Sequence, residues 1–288
     1  MTATSLALVL AGAMLHAFWN VVAKRSAGGP PFVILFGWVS AAIATPVMLW
    51  QWQTHPQAMT VGLVLAALSS ALVHAAYSLV LQQGYRVSDF AVVYPIARGV
   101  GPMLAVIGSV LLFGETPSLP GWLGIALIVA GVFVTAGVLD IFSAEPSRCQ
   151  SGVAWGSLTG ALIAVYTLLD GWAVKSLGAT PILFYGAVLW FRVLLFAPWA
   201  IRGHARIRAC WRENTLAVIL VGTLSPLAYV LVLFAVQLAP LAYVAPVREV
   251  SMLVAAFVGA KFLGESLSRV QILGAVLMAS GVLALALA

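Results

Sequence analysis

Charged side chains make up only 8% of the 288 residues, where a soluble domain carries about a quarter. So little charge could not clothe two tandem soluble domains, and an ordinary water-soluble protein is excluded. Cysteine is nearly missing as well. Cys149 and Cys210 are expected in polar linkers, with no CxxC and no metal-type cluster, so neither a disulfide framework nor a metal site is expected. The net charge of +6 is spread over single Lys and Arg residues between apolar runs, and without a basic stripe no nucleic-acid partner is expected. The opening MTATS holds no Lys or Arg, so the first apolar run lacks the positive region of a cleaved signal peptide and is expected to remain as a helix. No HExxH or GxSxG occurs, and GSLTG at 156–160 is only a near miss. No catalytic residue or cofactor is therefore assigned, and an intramembrane enzyme ranks below a channel as a rival functional class.

Apolar length is what the chain has instead. Hydrophobic residues reach 63% and the mean hydropathy is +1.09. A bilayer core of about 30 Å needs about 20 apolar residues per helix. Cutting at polar punctuation yields ten such segments: Thr4 to Ala23, Pro31 to Trp50, Thr60 to Gln82, Phe90 to Phe113, Pro120 to Leu139, Ser151 to Val174, Pro181 to Ile201, Thr215 to Val236, Pro240 to Phe262 and Arg269 to Leu287. An all-α, multi-pass membrane protein follows, placed in a cell membrane of the bacterial inner-membrane kind, with monomer and homodimer both open. The longest connections are 140–150 and 202–214, so any function is expected within the membrane.

Shifted by 150 positions, the sequence matches itself. Ser26 falls on Ser176, Pro31 on Pro181, Arg98 on Arg248, Gly114-Glu115 on Gly264-Glu265, Gly124 on Gly274 and Gly131 on Gly281. Each half, 1–145 and 146–288, holds five helices. An odd number makes the second half enter from the opposite side, which is an inverted repeat. YPIAR at 94–98 returns as APVR at 245–248, with the proline slipped by one residue. Pro95 and Pro246 therefore read as built-in helix interruptions and candidate hinges, with Gly99 and Gly101 allowing bending or close approach.

These features resemble the drug/metabolite transporter superfamily, in particular its EamA-type ten-helix members. The resemblance covers the whole chain and rests on the two five-helix halves, the GE pairs, the glycine-spaced fifth helices and HAFWNVVAKRS at 16–26. It implies a bundle around a central cavity and a secondary transporter that exports or exchanges a small polar metabolite, such as an amino acid. A passive channel or facilitator is the alternative, separated by whether flux saturates. Related small multidrug transporters carry an acid in their first helix. Here that helix offers His16 and Asn20, and only the second half supplies an acid, Asp170, at the position of Asn20.

Charges inside spans usually face a cavity or a partner. Arg98, Asp170, Arg192, Arg248 and Glu249 are the candidates. Counted at 1.5 Å per residue, Asp170 lies about 7 Å and Arg248 about 12 Å from one membrane face, which predicts that the two pair. Arg98 and Arg248 are read as guanidinium forks for a substrate's anionic group, or else as ties between helices. Arg192 is expected to pair with Glu249. His16 and Asn20, like Tyr166 and Asp170, stand at i and i+4 on one helix face. His74, Trp19, Tyr77, Tyr94, Tyr229 and Tyr243 complete a candidate polar and aromatic wall. Glu115 and Glu265 read as structural helix-end acids, and the glycines at 124, 131, 274 and 281 as a packing seam. Lys24, Arg25, Arg86, Arg148, Arg202, Arg206, Arg208, Arg212, Lys261 and Arg269 flank odd-numbered loops against Lys175 alone on the even side. That bias predicts cytoplasmic odd loops and external termini, which departs from the cytoplasmic termini usual among the proteins it resembles.

Overall fold

The computed structural model describes residues 1–26, 29–88, 90–135, 146–254 and 268–288, and every regular element among them is helical. Gly264-Glu265, Lys261 and the later part of the ninth expected span lie outside the described residues. The helices are α1 (Ala3–Ser26), α2 (Gly29–Thr54), α3 (Val61–Val87), α4 (Phe90–Phe113), α5 (Leu119–Thr135), α6 (Pro146–Lys175), α7 (Pro181–Arg202), α8 (His204–Leu238), α9 (Leu241–Val247) and α10 (Arg269–Leu287). Eight of them are long and apolar enough to cross a membrane, and α5 is a shorter apolar helix. The chain is thus a multi-span, all-helical membrane protein.

Two expected linkers turn out otherwise. Residues 204–213, read as part of a loop, form the lead-in of α8, which kinks at Asn214 with φ −127° and ψ 21°. Ile207 and Cys210, three residues apart, are buried against Phe32, Leu35 and Ala200, while Arg206, Arg208 and Arg212 are exposed. An amphipathic segment of this kind lies along the interface with its charges in water. Cys210 is therefore a packing residue, and Cys149 also falls within a helix, because α6 begins at Pro146.

The interruption expected in α4 does not occur, since the helix runs unbroken through Pro95. The glycines beside it serve close packing. A Cβ on Gly101 would stand 2.9 Å from Ile163 of α6, and one on Gly160 would stand 3.0 Å from the Gly101 nitrogen, so the α4 and α6 backbones nearly touch. GSLTG is thus a small-residue face for helix packing.

The two halves mirror each other. α1 packs on α8 as α6 packs on α3, and α2 packs on α8 as α7 packs on α3, while α2–α7, α4–α9 and α5–α10 are pairs between equivalent helices. Along the last pair, a Cβ on Gly124 would meet the Gly281 carbonyl at 2.8 Å and one on Gly131 the Gly274 carbonyl at 2.7 Å. Ascending numbers on α5 meet descending numbers on α10. The two helices are antiparallel, as inversion requires, and the glycine seam is the one the spacing predicts.

One face of the bundle is tied across the halves. Gln57, between α2 and α3, accepts from the Thr180 N–H at 2.9 Å and donates to the Gly178 carbonyl at 2.7 Å. Glu115, after α4, accepts from Lys175 Nζ at 2.7 Å and from the Leu241 and Ala242 N–H groups, each at 2.8 Å. Burial pushes the Glu115 carboxyl up, but the Lys175 bond and the Ala242 and Leu241 amides outweigh it and hold the group below its ordinary value. The first GE pair is therefore structural, though it caps α9 rather than the helix that follows it. Connections 2–3, 4–5, 6–7 and 8–9 share this face.

Candidate functional site

α4 and α9 carry the arginines to the middle of the bundle. After Pro246, α9 tightens into a 3₁₀ turn at Arg248–Val250 before residues 251–254 resume the α-helix. Such mid-helix tightening often marks a hinge or strain. The turn places Glu249 between both arginines: Arg98 Nε lies 3.1 Å from Oε2 and Arg248 Nε 3.6 Å from Oε1. Only 1% of Glu249 is exposed. Arg98 Nη2 also donates to Ser251 Oγ at 3.0 Å and meets His16 Nε2 at 3.3 Å. A guanidinium cannot accept, so His16 must present a bare Nε2, which makes it the neutral ring with its proton on Nδ1. Tyr94 lies under the Arg98 guanidinium, 5.7 Å from ring centre to carbon.

Asp170 belongs to a second group. Its Oδ2 accepts from the Tyr229 hydroxyl at 2.5 Å and stands 3.4 Å from His74 Nε2. Among the described residues, its buried Oδ1 has no hydrogen-bond partner. His74 stacks on Tyr166 at 4.0 Å, and Tyr77, Tyr185 and Tyr229 complete a set of five rings drawn from α3, α6, α7 and α8. The expected Asp170–Arg248 pair is not formed, because Glu249 takes both arginines while α6 turns Asp170 toward α3 and α8. Nor is Arg192 paired with Glu249; it is half-buried on α7, within electrostatic reach of His74 and Tyr185.

Other candidates fall to the side. Asn20 Nδ2 donates back to the His16 carbonyl at 3.0 Å, so its amide serves its own helix. Trp19 stands edge-on to His16 at 4.8 Å. Tyr243 leaves the expected wall for the tied face, where its hydroxyl accepts from the Ser118 N–H at 3.0 Å. Sequence reasoning missed Ser251, Tyr185 and the bridging role of Glu249. For Glu249 the signal was there, as the acid directly following the repeated arginine in an acid-poor chain. A cleft of about 800 Å³ between the ends of α4 and α6, lined by Leu112, Leu168 and Trp172 among others, does not involve the buried charges.

Pseudo-symmetric halves that bury ionised groups where they meet define an inverted-repeat membrane protein. The profile of the EamA-like transporter family matches residues 3–137 and again residues 150–287, and the chain belongs to that family. Multidrug resistance protein EbrB of Bacillus atrophaeus is 40% identical over 78 residues, 27% of this chain and 62% of that one. EbrB of Bacillus subtilis (strain 168) is 37% identical over 78 residues, with the same shares. The chain thus spans less than two thirds of the length of these curated relatives. A protein of known crystal structure superposes with a TM-score of 0.73 at 14% identity, covering 100% of this chain and 98% of that one, a likeness of fold alone.

Proposed function

We propose that the protein is a secondary transporter for a small polar metabolite with an anionic group, an amino acid or a related compound, moved outward or in exchange. The halves 1–145 and 146–288 act as its two repeats, with no enzymatic step and no cofactor. One observation carries the reading: Arg98 from one half and Arg248 from the other share the carboxylate of Glu249 in the interior. Two cations with one counter-ion are an anion site held by an internal stand-in, and a substrate carboxylate or phosphonate takes it over as the bundle switches sides. The name of EbrB as a multidrug resistance protein supports outward movement.

The test is transport into proteoliposomes of radiolabelled amino acids and aminophosphonates. Saturable transport by the wild type, lost in Arg98→Gln and in Arg248→Gln while both remain folded, is expected. Flux proportional to concentration without saturation points to a channel, and unchanged flux in both variants overturns the anion site.

A further inference from the structure

The arginines account for one side of the buried polar region. Asp170 is fully enclosed, its Oδ2 is engaged by Tyr229 and His74, and its Oδ1 meets no donor among the described residues. A buried carboxylate oxygen left so costs stability unless something donates to it. Beside it stand His74, Tyr166, Tyr185 and Tyr229, with Tyr77 against Tyr166, and ring centres 4.0 to 6.3 Å apart between neighbours. Aromatic rings beside a carboxylate suit a protonated amine, since ring faces attract a cation and the free oxygen accepts an N–H. The two groups adjoin, because Tyr166 lies within electrostatic reach of Arg98, Arg248, Glu249 and Asp170.

The geometry points to a second subsite at Asp170 for the ammonium of the same substrate, so that the site takes a zwitterion with its amine on α6 and its anionic group on the α4 and α9 arginines. The inference rests on the proposed anion site and adds its other end. Arg98 and Arg248 share Glu249, Asp170 stands apart with Tyr229 and His74, and the half-buried Arg192 lies within electrostatic reach of His74 and Tyr185. A zwitterion enters this interior without changing its net charge, whereas a plain anion or a plain cation alters it by one.

The experiment measures the melting temperature of the purified full-length protein with each proteinogenic amino acid, its N-acetyl derivative and its decarboxylated amine, since a ligand of the folded state raises that temperature. At least one free amino acid is expected to stabilise, with its N-acetyl derivative and its amine needing at least about ten-fold more for the same shift. In Asp170→Asn, which keeps an oxygen for Tyr229, the preference over the N-acetyl derivative should vanish. N-acetyl derivatives that match the free amino acids in the wild type overturn the amine subsite. If that stabilisation is still lost in Arg98→Gln, the anion site survives alone. Amines that stabilise without a carboxylate, unaffected by Arg98→Gln, overturn the anion site instead. A panel in which no amino acid stabilises overturns the two-ended site. The wild-type comparison decides even where Asp170→Asn fails to fold.

Discussion

Replacing Glu249 by Gln removes one charge and strands two. The side chain is nearly isosteric, so packing should hold and the effect should be electrostatic. At an effective dielectric of about 20, contacts of 3.1 and 3.6 Å are each worth about 5 kcal/mol by Coulomb's law. Against this, the neutral amide recovers the several kcal/mol that burying a carboxylate costs. Two stranded guanidiniums outweigh one relieved carboxylate, and a net loss of about 3–5 kcal/mol is expected. For a chain of this size that lowers the melting temperature by about 6–20 °C.

The assay is thermal unfolding of wild type, Glu249→Gln, Arg98→Gln and their double variant, and of wild type and Glu249→Ala with and without formate. The double variant strands one cation rather than two, so it should be more stable than the sum of the single losses. Formate cannot enter the space that the Gln amide keeps, but Glu249→Ala vacates it, so formate should raise the melting temperature of Glu249→Ala far more than that of the wild type. A Glu249→Gln protein as stable as the wild type, or a Glu249→Ala protein indifferent to formate, would refute the picture of Glu249 as the stand-in anion.

The tied face gives a pH prediction: the Glu115 pKa is depressed on folding, so its stabilisation is complete above its ordinary value of 4.5 and is lost as pH falls through the lower folded value. Glu115→Gln should lose stability at neutral pH and show a shallower acid transition, read from unfolding midpoints across pH. Gly131→Leu should part α5 from α10, because its Cβ meets the Gly274 carbonyl at 2.7 Å, whereas Gly37→Leu, with nothing within 4 Å, should fold normally by size-exclusion profile. Pro95→Ala and Pro246→Ala should keep the fold and slow transport, and unchanged rates in both would remove the hinge reading. Reporter fusions at the C-terminus should be active only in the external compartment, and cytoplasmic activity would reverse the orientation.

The helices were legible because a bilayer enforces length and the connections are punctuated by polar residues, and α4 and α10 begin and end where the pattern places them. The lead-in of α8 was not, because an amphipathic helix at an interface shows its arginines in the same order as a loop does; only the three-residue spacing of Ile207 and Cys210 distinguishes it. In the site, Arg98 and Arg248 stood out as charges in apolar spans. Their partner did not, for counting residues from a membrane face gives height and says nothing of azimuth. Asp170 and Arg248 were matched in depth, yet the 3₁₀ turn after Pro246 sets Glu249 between the arginines and leaves Asp170 to Tyr229 and His74.

The repeat explains both the success and the miss. Symmetry governs what holds the bundle together: the α5–α10 seam and the paired packing of α1 on α8 and α6 on α3 follow from equivalent residues. The polar centre departs from it, since Glu249 corresponds to Gly99 in the first half and Asp170 to Asn20. A strictly symmetric site would present the same groups to a substrate in either of two orientations. In the proposed site, one acid beside the arginines and the other among the rings of α3, α6, α7 and α8 remove that ambiguity, so the asymmetry of a few residues sets the direction in which a bound molecule lies.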